Sequence, residues 1–141
     1  QVLAEGLKPS ELTVFKYETE GVATLEDGLY VLEENLADAA FKDKMVRFVR
    51  ASMKGWKYAE KNPGEAAEIV VDNDDSGAQT IEHNTTQMGE IVKLTAGSNG
   101  ALDPADYQRT VNSLMTSGSD PVITKMPKGA WTHVITDAAL K

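Results

Sequence analysis

Hydrophobic and polar positions follow two different rhythms along the chain. Residues 12–17, LTVFKY, alternate in part and are rich in β-forming side chains, which predicts a strand. ETEGVATLEDG follows as a loop, with Gly21 and Asp27-Gly28 as turn signals. Residues 29–32, LYVL, form a short apolar run that predicts a second strand. From Asp38 the period becomes helical: Phe41, Met45, Phe48, Val49, Ser52, Trp56 and Ala59 recur at spacings of three and four and make one broad face. Gly55 stands beside that face. A glycine inside a helix costs ~1 kcal/mol relative to alanine, so close approach by a neighbouring backbone is expected there.

The helix breaks at Asn62-Pro63-Gly64-Glu65. Asn62 suits an N-cap, Pro63 the first helical position, and Glu65 can reach back to close the turn. Ala66, Ala67, Ile69 and Val70 then predict a short, closely packed helix. Beyond the polar loop at 72–77, a third helix is expected from Ala78 to Thr95, with Ile81, Met88, Ile91 and Val92 on its buried side. The segment GSNG closes it. Asp103 and Pro104 mark the next start, Leu102 can staple to Tyr107, and Tyr107, Val111, Leu114 and Met115 form the apolar stripe up to Gly118. DPVITKMPKGA reads as extended or turning, and Trp131, Val134, Ile135 and Ala138 suggest a last helix. The pattern as a whole is helix-rich, with two strands near its beginning.

With 141 residues the chain is long enough for one domain with a core but short for two. Hydrophobic residues make up 41% and charged residues 26%, as in ordinary globular proteins. No apolar run approaches the ~20 residues of a membrane span, and the first residues lack the basic start and apolar stretch of a signal peptide. The 14 basic and 22 acidic residues give a net charge of -8, which repels phosphate backbones and argues against a nucleic-acid partner. There is no cysteine, which excludes disulfides, thiol nucleophiles and thiolate metal sites.

Few residues suggest chemistry. His83 and His133 are far apart in sequence, with no acid–nucleophile pattern around them, and both are expected at the surface or near helix caps. Asp72, Asp74 and Asp75 cluster oxygens but lack the glycine and distal glutamate of a calcium loop, so a solvated turn is expected. Ser113, Ser117 and Ser119 lie in no nucleophile-elbow context. Residues 97–100 follow a helix, which argues against a phosphate-cradling loop. Trp56 and Trp131 read as packing anchors. The loop at 17–30 holds more promise, because it gathers Tyr17, Glu18, Glu20, Glu26, Asp27 and Tyr30 on a glycine-punctuated turn, either as a polar surface turn or as the edge of a cleft.

VRFVRASMKGWKYAEKNPGEAAEIVV, with Gly55-Trp56, Tyr58-Ala59, Asn62-Pro63 and Glu65-Ala66-Ala67, resembles a helix pair of the NMT1/THI5-like substrate-binding proteins of ABC importers, in the nitrate/sulfonate/taurine group. GVATLEDGLYVLEENLAD, LDPADYQRTVNSLM and SDPVITKMPKGAWTHVITDAAL look like other segments of that group. The resemblance implies an α/β fold: the helix-rich C-terminal part of a type II periplasmic-binding-protein fold, with about five helices and two or more short strands. Residues 1–28 would then end the second lobe and make the return crossing, and 29–141 would complete the first lobe. It implies a non-enzymatic, periplasmic receptor that closes on a small organic solute and is read by a cognate ABC permease, with Tyr17, Glu26, Asp27 and Tyr30 lining the cleft. No cofactor and no metal are expected. Helices with wide apolar faces outnumber the strands available to cover them, so self-association is also expected. Two alternatives stand beside this reading. One is a pyrimidine-precursor enzyme of the THI5 type, whose cysteine-rich motif finds no counterpart here; the other is a self-standing helical interaction module.

Overall fold

Three carboxylate or hydroxyl side chains decide where the longer helices begin. In the computed structural model, which describes Val2 and residues 5–141, Asp38 accepts from the Ala40 amide at 2.8 Å and starts α1, Ala39–Lys61. Thr80 accepts from the His83 amide at 3.1 Å and starts α3, Ile81–Thr95. Asp103 accepts from the Ala105 amide at 2.7 Å and starts α4, Pro104–Thr116, with Pro104 in its first turn as expected. Between α1 and α3 lies α2, Pro63–Asp72, and a single turn, α5, spans Thr136–Ala139. Short 3-10 turns occupy Pro9–Glu11 and Glu33–Ala37.

The expected α/β fold is not what forms. Helix accounts for 53% of the chain, and the described residues contain no strand and no sheet. LTVFKY and LYVL have the propensity for strands, but that propensity reports how well side chains fit a pleated, half-buried surface. Here no such surface covers them: Phe15 is 71% and Tyr30 82% exposed. The end of the first segment is drawn into a turn instead, where Thr19 and Glu20 donate to the Lys16 carbonyl at 2.9 and 3.2 Å and Val22 donates to the Tyr17 carbonyl at 3.0 Å.

Two compact units divide the chain. One contains the N-terminal stretch up to Leu36 together with residues 101–134; the other contains 37–100 and 135–141. In the second unit α2 lies along α3, and α1 touches α2, α3 and α5. Arg50 of α1 donates from Nε and Nη2 to the carbonyls of Ala139 and Ala138, at 3.3 and 3.1 Å, and so caps the last turn of the chain. The buried side chains are small: Ala67 and Ala139 in this unit and Val111 in the first. Asn84 is the buried polar group, and its amide donates to Gln79 Oε1 and to the Thr80 carbonyl, both at 3.0 Å.

The junction between α1 and α2 differs from expectation in detail. Asn62 directs its side-chain amide backward to the Tyr58 carbonyl at 2.9 Å, ending α1 rather than capping α2. Glu65 accepts the Tyr58 hydroxyl at 2.6 Å instead of closing a capping turn. Gly55 is no packing notch, because a Cβ built there would meet nothing within 4 Å. Trp56, expected to anchor packing, is 47% exposed on the same helix. The third helix begins three residues later than expected, because Thr80 supplies the cap. The last helix is a single turn that leaves Trp131 outside it.

Candidate functional site

The loop at 17–30 is held by long-range hydrogen bonds to α4. Arg109 Nε donates to the Ala23 carbonyl at 2.8 Å, and the Leu25 amide donates to Thr110 Oγ1 at the same distance. The Thr110 hydroxyl donates in turn to the Asp106 carbonyl one turn back, at 3.0 Å. α4 can do this because its two faces differ in chemistry. Val111 is buried and Tyr107, Leu114 and Met115 are half-buried on one side, while Ala105, Arg109, Asn112 and Thr116, at spacings of four, three and four, line the other.

Between this polar face and Gly21-Val22 runs an open groove of about 560 Å³, lined by Gly21, Val22, Arg109, Asn112, Ser113 and Thr116 among others. The hydrogen-bond partners decide what this groove can recognise. Thr116 Oγ donates to the Asn112 carbonyl at 2.8 Å, and the Ser117 hydroxyl donates to the Ser113 carbonyl, so both oxygens face outward as acceptors. Asn112 Oδ1 accepts from Gln108 at 2.9 Å, which leaves its amide hydrogens as donors. Arg109 pairs with Asp106 at 2.8 Å and with Ala23, which uses two of its five N–H groups. The groove therefore offers a guanidinium and an amide as donors and two hydroxyls as acceptors.

The four residues expected to line a cleft lie near this groove in sequence but not within its walls. Tyr17 opens the turn that leads to Gly21, and its side chain is exposed. Glu26 and Asp27 are exposed beyond the Leu25 anchor. The Tyr30 ring folds back over Gly28, with its hydroxyl 3.1 Å from where a Gly28 Cβ would stand, and Tyr30 itself is 82% exposed. The structure does not gather the four into one concavity. It brings forward Arg109, Asn112 and Thr116, whose only sequence signal was a polar stripe at helical spacing.

The remaining candidates have structural roles. His133 lies half-buried, with Nε2 2.8 Å from the Leu102 carbonyl and its ring 4.8 Å from that of Trp131, which in turn sits 6.2 Å from Tyr107. His83 occupies the first turn of α3. Asp74 turns inward on its own loop and accepts from the Ser76 hydroxyl and from the Ser76 and Gln79 amides, which holds its carboxyl below the usual carboxylate range. Among the described residues no cluster of three or more His, Asp or Glu side chains is placed to hold a metal ion, and no helix is long and apolar enough to cross a membrane.

A family model described as NMT1/THI5 like matches residues 1–66. This segment of the chain is NMT1/THI5-like. It contains the loop at 17–30, all of α1 and the start of α2, and therefore supplies the Gly21-Val22 wall of the groove. The α4 wall lies beyond the NMT1/THI5-like match, as do the C-terminal segments at 102–115 and 119–140. Neither the curated proteins nor the solved structures yield a match.

Proposed function

We propose that the protein is a solute-binding receptor component of an ABC importer, recognising a small organic solute by hydrogen bonds. The observation that carries this reading is the groove in which the NMT1/THI5-like loop, at Gly21-Val22, faces the donors and acceptors of α4. Spare guanidinium N–H groups on Arg109 suit a carboxylate or sulfonate, because an ionised acceptor forms the stronger hydrogen bond. The outward oxygens of Thr116 and Ser117 suit an amine, amide or hydroxyl on the same solute. In this role the protein works in the periplasm and hands its solute to a permease. The groups facing the groove are suited to binding rather than to acid–base or nucleophilic steps.

The test is calorimetric titration against small carboxylates, sulfonates and pyrimidines. An open groove covers less of a ligand than the ~70–90% enclosed by a formed pocket, while the cost of immobilising the ligand is undiminished. Affinity for the best class should therefore lie near ~1 mM, and Asn112→Ala should weaken it severalfold with helical content unchanged. Failure of every class to bind, or chemical turnover of a bound pyrimidine, would contradict the receptor reading.

A further inference from the structure

A carboxamide carries an acceptor on one side and donors on the other in nearly the same shape, so its partners decide which way it faces. Asn112 is such a group on the groove wall. Its Oδ1 accepts from Gln108 Nε2 at 2.9 Å, one turn back on α4, and its Nδ2 has no partner among the described residues. Gln108 is a carboxamide too and meets the same choice. If its oxygen and nitrogen changed places, Asn112 would turn as well and show the groove an acceptor in place of donors.

That choice is made outside the groove. Gln108 Nε2 also lies 3.9 Å from Met126 Sδ, a thioether that accepts weakly and has no hydrogen to donate. With Gln108 Oε1 in that place, two lone-pair atoms would face each other. Gln108 Nε2 carries two hydrogens, one for the sulfur and one for Asn112 Oδ1. The three side chains therefore satisfy one another in one sense only. All three belong to the first unit, and neither Gln108 nor Met126 lines the groove. A carboxamide pair four residues apart adds little to helix stability, so this arrangement matters for direction rather than for holding α4 together.

We propose that Gln108 is a positioning residue for solute recognition: it takes its direction from Met126 and turns the Asn112 N–H groups toward the groove. The proposal rests on the groove being the solute site. Its consequence is a polarity along α4. Arg109 and Asn112, three residues apart, both present donors, so the oxyanion of the solute belongs beside them. The acceptor oxygens of Thr116 and Ser117 lie further along the helix, about 6–8 Å beyond Asn112. A solute with its acceptor and donor ends that far apart binds in one direction. A reversed Asn112 would set an acceptor beside Arg109 and repel the oxyanion.

Nitrogen–proton spectra of the solute-free protein test the orientation first. Met126→Leu keeps the volume but removes the sulfur, and it should shift the Asn112 side-chain NH2 resonances, although Met126 Sδ meets Gln108 and not Asn112. Gln108→Leu should shift them further, with helical content by circular dichroism unchanged. Titration with acetate and with methylammonium, followed in the same spectra, then reads selectivity. Gln108→Leu should cut the preference for acetate about threefold, the low end of what one hydrogen bond contributes. Gln108→Glu should cut it further by drawing the Asn112 N–H groups to itself. In an Asn112→Ala background only the charge part of that loss should survive. Asn112 resonances that do not respond to Met126→Leu would overturn the proposal, as would a Gln108→Glu effect equal with and without Asn112. If neither probe binds while the Asn112 resonances still follow Met126 and Gln108, the orienting role stands and the receptor reading falls.

Discussion

Arg109 Nε donates to the carbonyl of Ala23 across 86 residues of sequence, at 2.8 Å. The next residue, Thr110, accepts from the Leu25 amide. These contacts join a loop without regular structure to a capped helix and form the wall of the groove. They give the loop its position, because the loop has no sheet to belong to. Replacing Thr110 by valine should remove the acceptor while keeping the shape. We expect the Leu25 amide to exchange with solvent measurably faster in Thr110→Val, with a stability loss of about 1 kcal/mol, the usual net value of one hydrogen bond. Unchanged Leu25 protection by amide exchange would mean that the loop is held by something else.

Asp103 should matter more for stability than its exposure suggests. Its carboxylate satisfies the Ala105 amide at the start of α4, the helix that carries the groove. Asp103→Ala should cost about 1 kcal/mol, and Asp103→Asn should recover most of it. Urea denaturation monitored by circular dichroism gives both values.

Two glycines should respond to alanine with opposite sign. Gly55 lies in α1 with open space around a built Cβ, so Gly55→Ala should stabilise by roughly 0.8–1 kcal/mol. Gly100 has φ +85°, and a Cβ there would stand 2.6 Å from Met53 Sδ, so Gly100→Ala should lower the melting temperature. Melting curves for the pair decide the matter. A destabilising Gly55→Ala would restore the packing-notch idea that the structure removes.

The helices were largely legible in the sequence. The Asp103-Pro104 start, the Gly118 stop, at φ +67°, and the long α1 period all express local chemistry that stands unaltered in the fold. The two strands were misread because a strand exists only with a neighbour to pair with, and residues 12–17 and 29–32 find none. The site was half legible. The loop at 17–30 drew attention through its glycines and acids, and the structure does pin it to a groove. Its partner wall was not visible, since Arg109, Asn112 and Thr116 have the spacing of any solvated helix face. Only the bond to Ala23 shows that this face meets a loop.

Two side chains set the expected pH response. The hydrogen bond from Tyr58 to the Glu65 carboxylate raises the Tyr58 pKa above its ordinary 10.0, with smaller contributions from burial and from the negative charge of Glu65. Because the folded-state pKa is raised, this contribution is complete below the unfolded value and fades as pH climbs through the folded one. The Ser76 hydroxyl, followed by the Gln79 amide, lowers the Asp74 pKa below its ordinary 3.8. Its contribution is present above the unfolded value and is lost as pH falls through the folded one. Glu65→Gln should bring the Tyr58 titration down toward its ordinary value in an ultraviolet pH titration, and a curve that does not move would show that the contact is not populated.

Nitrogen–proton correlation spectra recorded during addition of a small carboxylate or sulfonate test the central claim most directly, because they locate binding as well as detect it. Saturable shifts should appear at the Gly21 and Val22 amides, the Arg109 Nε–H and the Asn112 side-chain amide. Shifts confined to Tyr17, Glu26, Asp27 and Tyr30, or none at all at solute concentrations well above ~1 mM, would contradict the assignment of solute recognition to the groove between the NMT1/THI5-like loop and α4.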